Sequence, residues 1–489
     1  MDYNAKSTRY YILLFNCLLT FGSYYCFDMP ANLQHQIQDQ IIAKFTNDTE
    51  TYYNYFYLVY SWTNMLMSLC AGQMVDKMGK VKSMFIFVTF CMVGSAIYAV
   101  GAFMTESDAK LRYGVMFLGR FIFGLGGGPI TIVQNTYTAT WFTGHELAMA
   151  FGCTLTISRI GSVVNYDLTP TIYDAINTTL THAEDPNTPI DIQAGHEALG
   201  YTLMIGSGLV SLSLIAALVL AHLDGGAEKS SEGPYKATGV AGKDSSGKKK
   251  KMSIDDLKLF PPLYWVLALT ISLFYSIIFP FMANSSTFLE EADPSLTDVS
   301  ASFRSGLVYM CSMFVSPFLG AFVDWLGRRT VIALFGTSLT IPVFILLGYS
   351  SLDPIYMMLM LGISYSVCAA ALWPSIQLLV PLRANGTANG VATSIQMLGI
   401  GICNILVGRL RDTQSFSVTM DFFVGLGVAS VACVLTMFVL DTDQKMFKGK
   451  RDAEKEAASD NDLHDPLLDA PSLGKAVLED PYKREEPLV

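Results

Sequence analysis

Apolar runs long enough to cross a lipid bilayer recur along almost all of this 489-residue chain, and no other feature restricts its fold so severely. A span needs about 20 mostly apolar residues. Twelve such segments can be marked, near 10–33, 53–75, 82–104, 112–135, 147–171, 199–222, 262–284, 301–323, 330–350, 355–379, 386–409 and 419–440. Composition agrees, with 51% of residues hydrophobic and 15% charged, whereas a soluble chain carries about 25% charged. The expected class is an all-α membrane protein of twelve transmembrane helices. The first segment has no small-residue cleavage site and reads as a retained span, not a removed signal peptide.

Lys and Arg set the expected orientation. They cluster before the first span (Lys6, Arg9), between spans two and three (Lys77, Lys80, Lys82), in the central loop (Lys248–Lys251) and at Arg328 and Arg329. The longest loop on the opposite side is acidic, with Glu184, Asp185, Asp191 and Glu197. By the positive-inside rule both termini are cytoplasmic. Lys110, Arg112, Arg409 and Arg411 fall on the wrong side. The net charge of −10 speaks against a nucleic-acid partner. All nine cysteines fall in expected spans and none forms a C-x-x-C pair, so neither a disulfide framework nor a metal site is indicated.

The chain reads as two pseudo-symmetric six-helix halves, 1–223 and 259–444. Between them lies a cytoplasmic linker, 224–258, rich in Gly, Ser and Lys; a charged, Pro-containing tail follows at 445–489. A loop motif supports the duplication. Gly72-Gln-Met-Val-Asp76-Lys-Met-Gly79-Lys80 recurs in the second half as Gly320-Ala-Phe-Val-Asp324-Trp-Leu-Gly327-Arg328, each copy between two spans. Its glycines allow a tight turn. Its aspartate can accept hydrogen bonds from a neighbouring helix start or pair with a base, so the loop suits a gate that closes and breaks. Two halves around a mid-membrane site are the plan of a rocker-switch transporter.

Two arginines fall within spans, where each costs about 2.5–3.5 kcal/mol unless it finds partners or water. Arg120 shares a helical stripe with Gly124, Gly127, Thr131 and Gln134, and reads either as part of the gating machinery or as a hydrogen-bond hub. Arg159 sits midway along the fifth span, with Thr156, Ser162, Tyr166 and Asp167 within a quarter turn. Its guanidinium fork suits a carboxylate or phosphate. The alternative is a buried ion pair with Asp28 or Asp167. Tyr24, Tyr25, Tyr57, Tyr60, Trp62, Tyr275 and Trp373 can wall a pocket, and Gln134, Asn135, Asn389, Thr393 and Gln396 add polar faces. No nucleophile–base set or phosphate loop emerges, and His145, His182 and His196 are expected in loops. Catalysis and a cofactor are not expected.

Several segments resemble one family: Phe21-Gly-Ser-Tyr-Tyr-Cys-Phe-Asp28-Met-Pro30, Tyr60-Ser-Trp62-Thr-Asn64, Ser158-Arg-Ile-Gly-Ser162, Ala371-Leu-Trp-Pro374 and Ser394-Ile-Gln-Met-Leu398. They are similar to the major facilitator superfamily domain-containing protein 1 group, the lysosomal dipeptide transporters. The resemblance spans all twelve helices. It implies the major facilitator fold, uniport of short peptides out of lysosomes and, in animals, a heavily glycosylated single-pass partner. It also implies that Arg159 matches the arginine binding the peptide carboxylate, and Trp373 a pocket aromatic. One departure matters. Relatives carry an acidic residue for the peptide amine where this chain reads Gly126-Gly-Gly128-Pro129. Asp167 and Asp28 are the candidate substitutes. Asn47 and Asn177 head glycosylation sequons expected in lumenal loops, and Asp465-Pro-Leu-Leu468 resembles a sorting signal with altered acidic spacing.

Overall fold

The computed structural model describes residues 6–104, 108–142, 145–184, 192–229, 260–380, 385–441 and 446. Among the described residues there are helices and no strands. The first span is α1 (Lys6–Asp28), followed by a 3-10 segment (Met29–Leu33), the single turn α2 (Gln34–Ile37) and a π-helical turn (Gln38–Ile42). Then come α3 (Thr49–Met78), α4 (Lys80–Phe103), α5 (Ala109–Gly127), α6 (Pro129–Trp141), α7 (His145–Glu184) and α8 (Ile192–Lys229). The second half holds α9 (Pro262–Ala283), the short α10 (Ser285–Ala292), α11 (Asp298–Leu326) and α12 (Arg329–Tyr349). It ends with α13 (Pro354–Leu379), α14 (Asn385–Thr413) and α15 (Phe416–Leu440).

Nine segments of the described chain have the length and mean hydropathy to cross a membrane. With α3, α7 and α11 they make twelve long helical segments, α5 and α6 counting as one. That segment is broken at Gly128–Pro129, because proline lacks the N–H that would continue the ladder and starts a helix well. The core divides in the same way. One apolar cluster is built almost wholly from α9–α15, and two others come almost wholly from α1–α8. The two sets of helices meet chiefly along α3 against α14 and α7 against α11.

Three sequence expectations need correction. The linker was placed from residue 224, yet α8 continues to Lys229, and Asp224 is buried where it accepts from Lys80 (2.9 Å) and the Trp141 indole (3.2 Å). Two partners inside the first half hold that stretch in the helix. Asn177 is not in a loop: α7 runs 40 residues to Glu184, so the sequon lies on a helix. None of the three expected loop histidines lies in a loop: His145 and His182 belong to α7, and His196 to α8, buried against Arg112 at 3.0 Å. Residues 230–258 of the linker, and the tail from 447 with its Asp465-Pro-Leu-Leu468, lie outside the described residues.

The second glycine of each repeated motif ends its helix. Gly79 closes α3 at φ 87° and Gly327 closes α11 at φ 65°, and each N–H returns to a carbonyl four residues back. Only glycine enters this region without steric cost, so both copies use the same local device. Arg328 follows at φ 47°. Gly72 and Gly320 have open space where a side chain would project. The side chains of Asp76 and Asp324 lie outside what the structure describes.

The opposite end of the molecule, here called distal, is sealed by contacts between the halves. Gln34 accepts from Thr287 (3.1 Å), and Asn54 and Asn284 exchange amide bonds (3.1 and 3.0 Å). The Tyr53 hydroxyl donates to the Ala283 carbonyl at 2.8 Å and that of Tyr166 to Met282 at 3.0 Å. His35 meets Glu290 at 2.7 Å and Gln36 donates to Asp298 at 2.9 Å. Arg411 bridges Glu50 and Glu291, while the Asp412 carboxylate caps α3 by accepting from the Glu50 and Thr51 amides. A carboxylate at a helix start complements its positive end.

Candidate functional site

Between the halves, midway along α7, stands Arg159, 8% exposed. Its Nη1 donates to the Ser312 carbonyl (3.2 Å) and to the hydroxyls of Ser312 and Ser316, all on α11. The guanidinium lies 5.0 Å from the centroid of Tyr365 on α13. Among the described residues every hydrogen bond it makes runs through Nη1, and Nη2 and Nε have no partner there. Among the described residues no carboxylate pairs with Arg159. The ion pair with Asp28 or Asp167 considered from the sequence is therefore not formed in this state.

A wall of aromatics runs from Arg159. Tyr365 packs edge-on to Tyr275 (5.9 Å) and Tyr309 (6.3 Å). Trp373 donates its indole N–H to the Tyr275 hydroxyl at 2.8 Å, which fixes both rings. The Tyr309 hydroxyl donates to Asp28 Oδ1 at 3.3 Å. Asp28 is 3% exposed and its Oδ2 has no hydrogen-bond partner. The nearby Arg120 does not supply one. Its Nη1 and Nη2 donate to the Cys26 and Phe27 carbonyls (3.1 and 2.9 Å), and Phe27, Tyr57, Tyr60, Tyr98 and Phe123 surround it at 5.1–5.9 Å. Arg120 thus acts here as the hydrogen-bond hub of the α1 end. Tyr57 is one wall of that cage, at 5.1 Å.

Two other expected pocket residues make their hydrogen bonds inside the first half. Tyr25 is 1% exposed, with its hydroxyl bonded to Thr169 at 2.7 Å inside the first half. One position earlier, Tyr24 is within electrostatic reach of Arg159, Asp28 and Tyr365. A helix turns about 100° per residue, so the tandem Tyr24-Tyr25 sends the two rings to different faces of α1. Gln134 also faces inward, its amide donating to the Asn16 carbonyl and Thr20 hydroxyl, both at 2.8 Å, as a clasp of α6 on α1. Asn135 is exposed and Gln396 buried, and neither side chain has a hydrogen bond among the described residues. Asp167 is half-buried with Oδ1 unpaired, facing Gly306 of α11. Lys80 pairs with Asp224.

Gly128 is where the expected acidic residue is missing. A Cβ built there would lie 1.8 Å from Asn64 Oδ1, so the Asn64 carboxamide fills the space a side chain would need. Ser68 donates to that oxygen at 3.0 Å and holds it in place. Tyr309, Tyr365, Ser312 and Ser316 were not singled out from the sequence. Only α11 folding against α7, with α13 packed on α11, brings them together around Arg159. The Ser312–Ser316 spacing on α11 was the one available signal.

Twelve helical segments in two sets, with an arginine and a carboxylate buried between them that form no ion pair among the described residues, define a multi-pass membrane transporter. The chain belongs to the Major Facilitator Superfamily, whose family model matches residues 15–404. It is 33% identical over 445 residues to the lysosomal dipeptide transporter MFSD1 of Mus musculus, covering 91% of this chain and 89% of the relative. The Homo sapiens protein of the same name is 32% identical, with 91% and 88% covered. The fold is similar to that of a D-xylose–proton symporter, at TM-score 0.67 and 12% identity over 90% of this chain and 99% of that one. It is also similar to the nucleoside transporter NupG, at TM-score 0.60 and 14% identity over 87% and 99%.

Proposed function

We propose that this transporter carries dipeptides, or closely related zwitterionic solutes, across an endolysosomal membrane by alternating access, as a uniporter. The observation that carries the reading is Arg159, a guanidinium buried between the halves with no carboxylate paired to it among the described residues. A buried charge is costly until it is paired, and the solute carboxylate is the natural partner. Trp373, Tyr275 and Tyr365 form the wall beside it, with Tyr24 close by. Asp28 takes the amine, since its free Oδ2 is the buried acceptor at the other end of the Tyr365–Tyr309 row. Asp167 is the second candidate. The names of the 32–33% identical relatives support the solute class and the compartment.

Gating in this reading involves the repeated loops at Gly72–Lys80 and Gly320–Arg328 on one side and the distal contacts on the other. The distal end is lumenal, as the positive-inside count has it, and the structure is then a cytoplasm-facing state. A glycosylated single-pass partner fits the same surface, and Asn47, exposed between α2 and α3, is the sequon open to glycosylation.

The test is a thermal-shift and proteoliposome-flux series on the purified protein with free dipeptides, N-acetylated dipeptides and dipeptide amides. Free dipeptides stabilise it and are transported, and each blocked form is weaker. Equal responses from the free and N-acetylated forms would favour an organic-anion transporter, which the lack of an acidic side chain at Gly128 also suits. Binding without flux for every solute would instead mark a sensor or a partner-stabilising subunit.

A further inference from the structure

We infer that His35 and Glu290 form a proton-operated latch on the distal gate, with protonation of His35 holding the two halves together. The pair spans the interface. His35 lies on α2 of the first half, and Glu290 on α10 of the second, at 2.7 Å. His35 has acidic groups on every side from which charges reach it: Glu290 on α10, Asp298 at the start of α11 and Asp39 on its own segment. Asp174 of α7 adds to the field at Asp298. Among the described residues neither Glu290 nor Asp298 pairs with a lysine or arginine. Glu290 Oε1 is buried without a partner. The imidazolium is therefore the one cation offered to this cluster, and it is present only when protonated. The site is open to its compartment, with 42% of the His35 side chain exposed.

The direction follows from linkage. In the closed state the Glu290 hydrogen bond, helped by the charges of Glu290, Asp298 and Asp39, raises His35 above its ordinary 6.5. Opening carries Glu290 and Asp298 away with the second half and leaves Asp39 beside it, so the value falls back. A group whose closed-state value is raised favours closure fully below its open-state value. That contribution is lost as pH rises through the closed-state value. With the distal end lumenal, an acidic lumen biases the carrier toward the face that releases solute, and a neutral one lets the gate open. The Arg411 guanidinium beside it keeps its charge throughout this range.

The experiment needs no solute, so its outcome is separable from the dipeptide reading. Full-length protein in nanodiscs is followed by hydrogen exchange in peptides covering 34–54 and 284–298, at about pH 5.5 and about pH 7.5, corrected for intrinsic exchange. Wild-type protection falls by up to about fivefold at the higher pH, the scale of a partly exposed ion pair. His35→Gln shows the low value at both pH values, and His35→Lys, charged throughout, shows the high one. Glu290→Gln flattens the dependence with His35 intact. His35 is 42% exposed and Glu290→Gln keeps the shape of a 19% exposed side chain, and monodispersity with unchanged exchange in α4 establishes folding. Equal wild-type protection at the two pH values overturns the inference. So does a His35→Gln variant that keeps the wild-type dependence, which would assign it to His196 or to the carboxylates.

Discussion

At Arg159 the sequence and the structure answer different questions. Position within a span already marked it as a costly charge, but only the fold shows that Ser312 and Ser316 hold its Nη1 while no carboxylate neutralises it. Removing a buried partner of this kind costs about 2–5 kcal/mol in affinity. Arg159→Ala is therefore expected to weaken carboxylate solutes by thirtyfold or more in a binding titration, with the protein still folded. Unchanged affinity would remove Arg159 from the site. Asp28→Asn is expected to erase the preference for a free over an acetylated amine, worth about 1.5–3 kcal/mol for a hydrogen bond to a charged group. If the preference survives in Asp28→Asn but not in Asp167→Asn, the amine site is at Asp167. Gly128 gives a steric counterpart. Gly128→Ala drives a methyl into the Asn64 carboxamide and should cost about 1–3 kcal/mol of thermal stability. Asn64→Ala in the same chain should restore most of it, and a failure of rescue would show that the crowding lies elsewhere.

Helices carry the second lesson. Their existence was legible because hydrocarbon satisfies no backbone group and each apolar run must bond within itself. Their ends were less so. The α7 overrun to Glu184 and the extension of α8 to Lys229 depend on partners outside the apolar run, such as Lys80 and Trp141 for Asp224. Which face a residue takes was also illegible in aromatic-rich stretches, as Tyr24 and Tyr25 show, because both are acceptable in a core and in a cavity. The repeated motif was the readable exception. Its second glycine is dictated by backbone conformation alone, with φ 87° at Gly79 and 65° at Gly327. Gly79→Ala and Gly327→Ala should each lose about 1–3 kcal/mol of stability, by similar amounts because the device is the same. A neutral effect in either copy, measured by thermal unfolding, would show that its helix can end another way.

For the whole molecule, the arginines that break the charge rule prove informative. Arg411 pairs with Glu50, 361 positions away, and with Glu291 in the second half; Arg112 is 1% exposed against His196. Such charges have structural work on the distal side, so the statistical bias of loops does not apply to them. Arg411→Ala leaves two facing carboxylates and removes a bridge between halves. It should shift the conformational balance toward distal opening by roughly 2 kcal/mol or more, seen as faster hydrogen exchange at residues 49–54. Unaltered exchange there would mean that Asp412 and the Asn54–Asn284 pair suffice.

The sequence by itself determined the class, the count of spans, the duplication and the two arginines within spans, Arg120 and Arg159, since these follow from hydrophobicity and backbone chemistry that act locally. Tertiary structure alone decided that Arg120 is spent on the α1 carbonyls while Arg159 is left unpaired. It also decided that Tyr25 is sealed within the first half with its hydroxyl on Thr169, and that Gln34, His35 and Glu50 lock against residues of the other half. These depend on helix rotation and on pairings hundreds of residues apart. No local pattern encodes which of two equally acceptable faces, or which of several distant carboxylates, the packed halves will bring together.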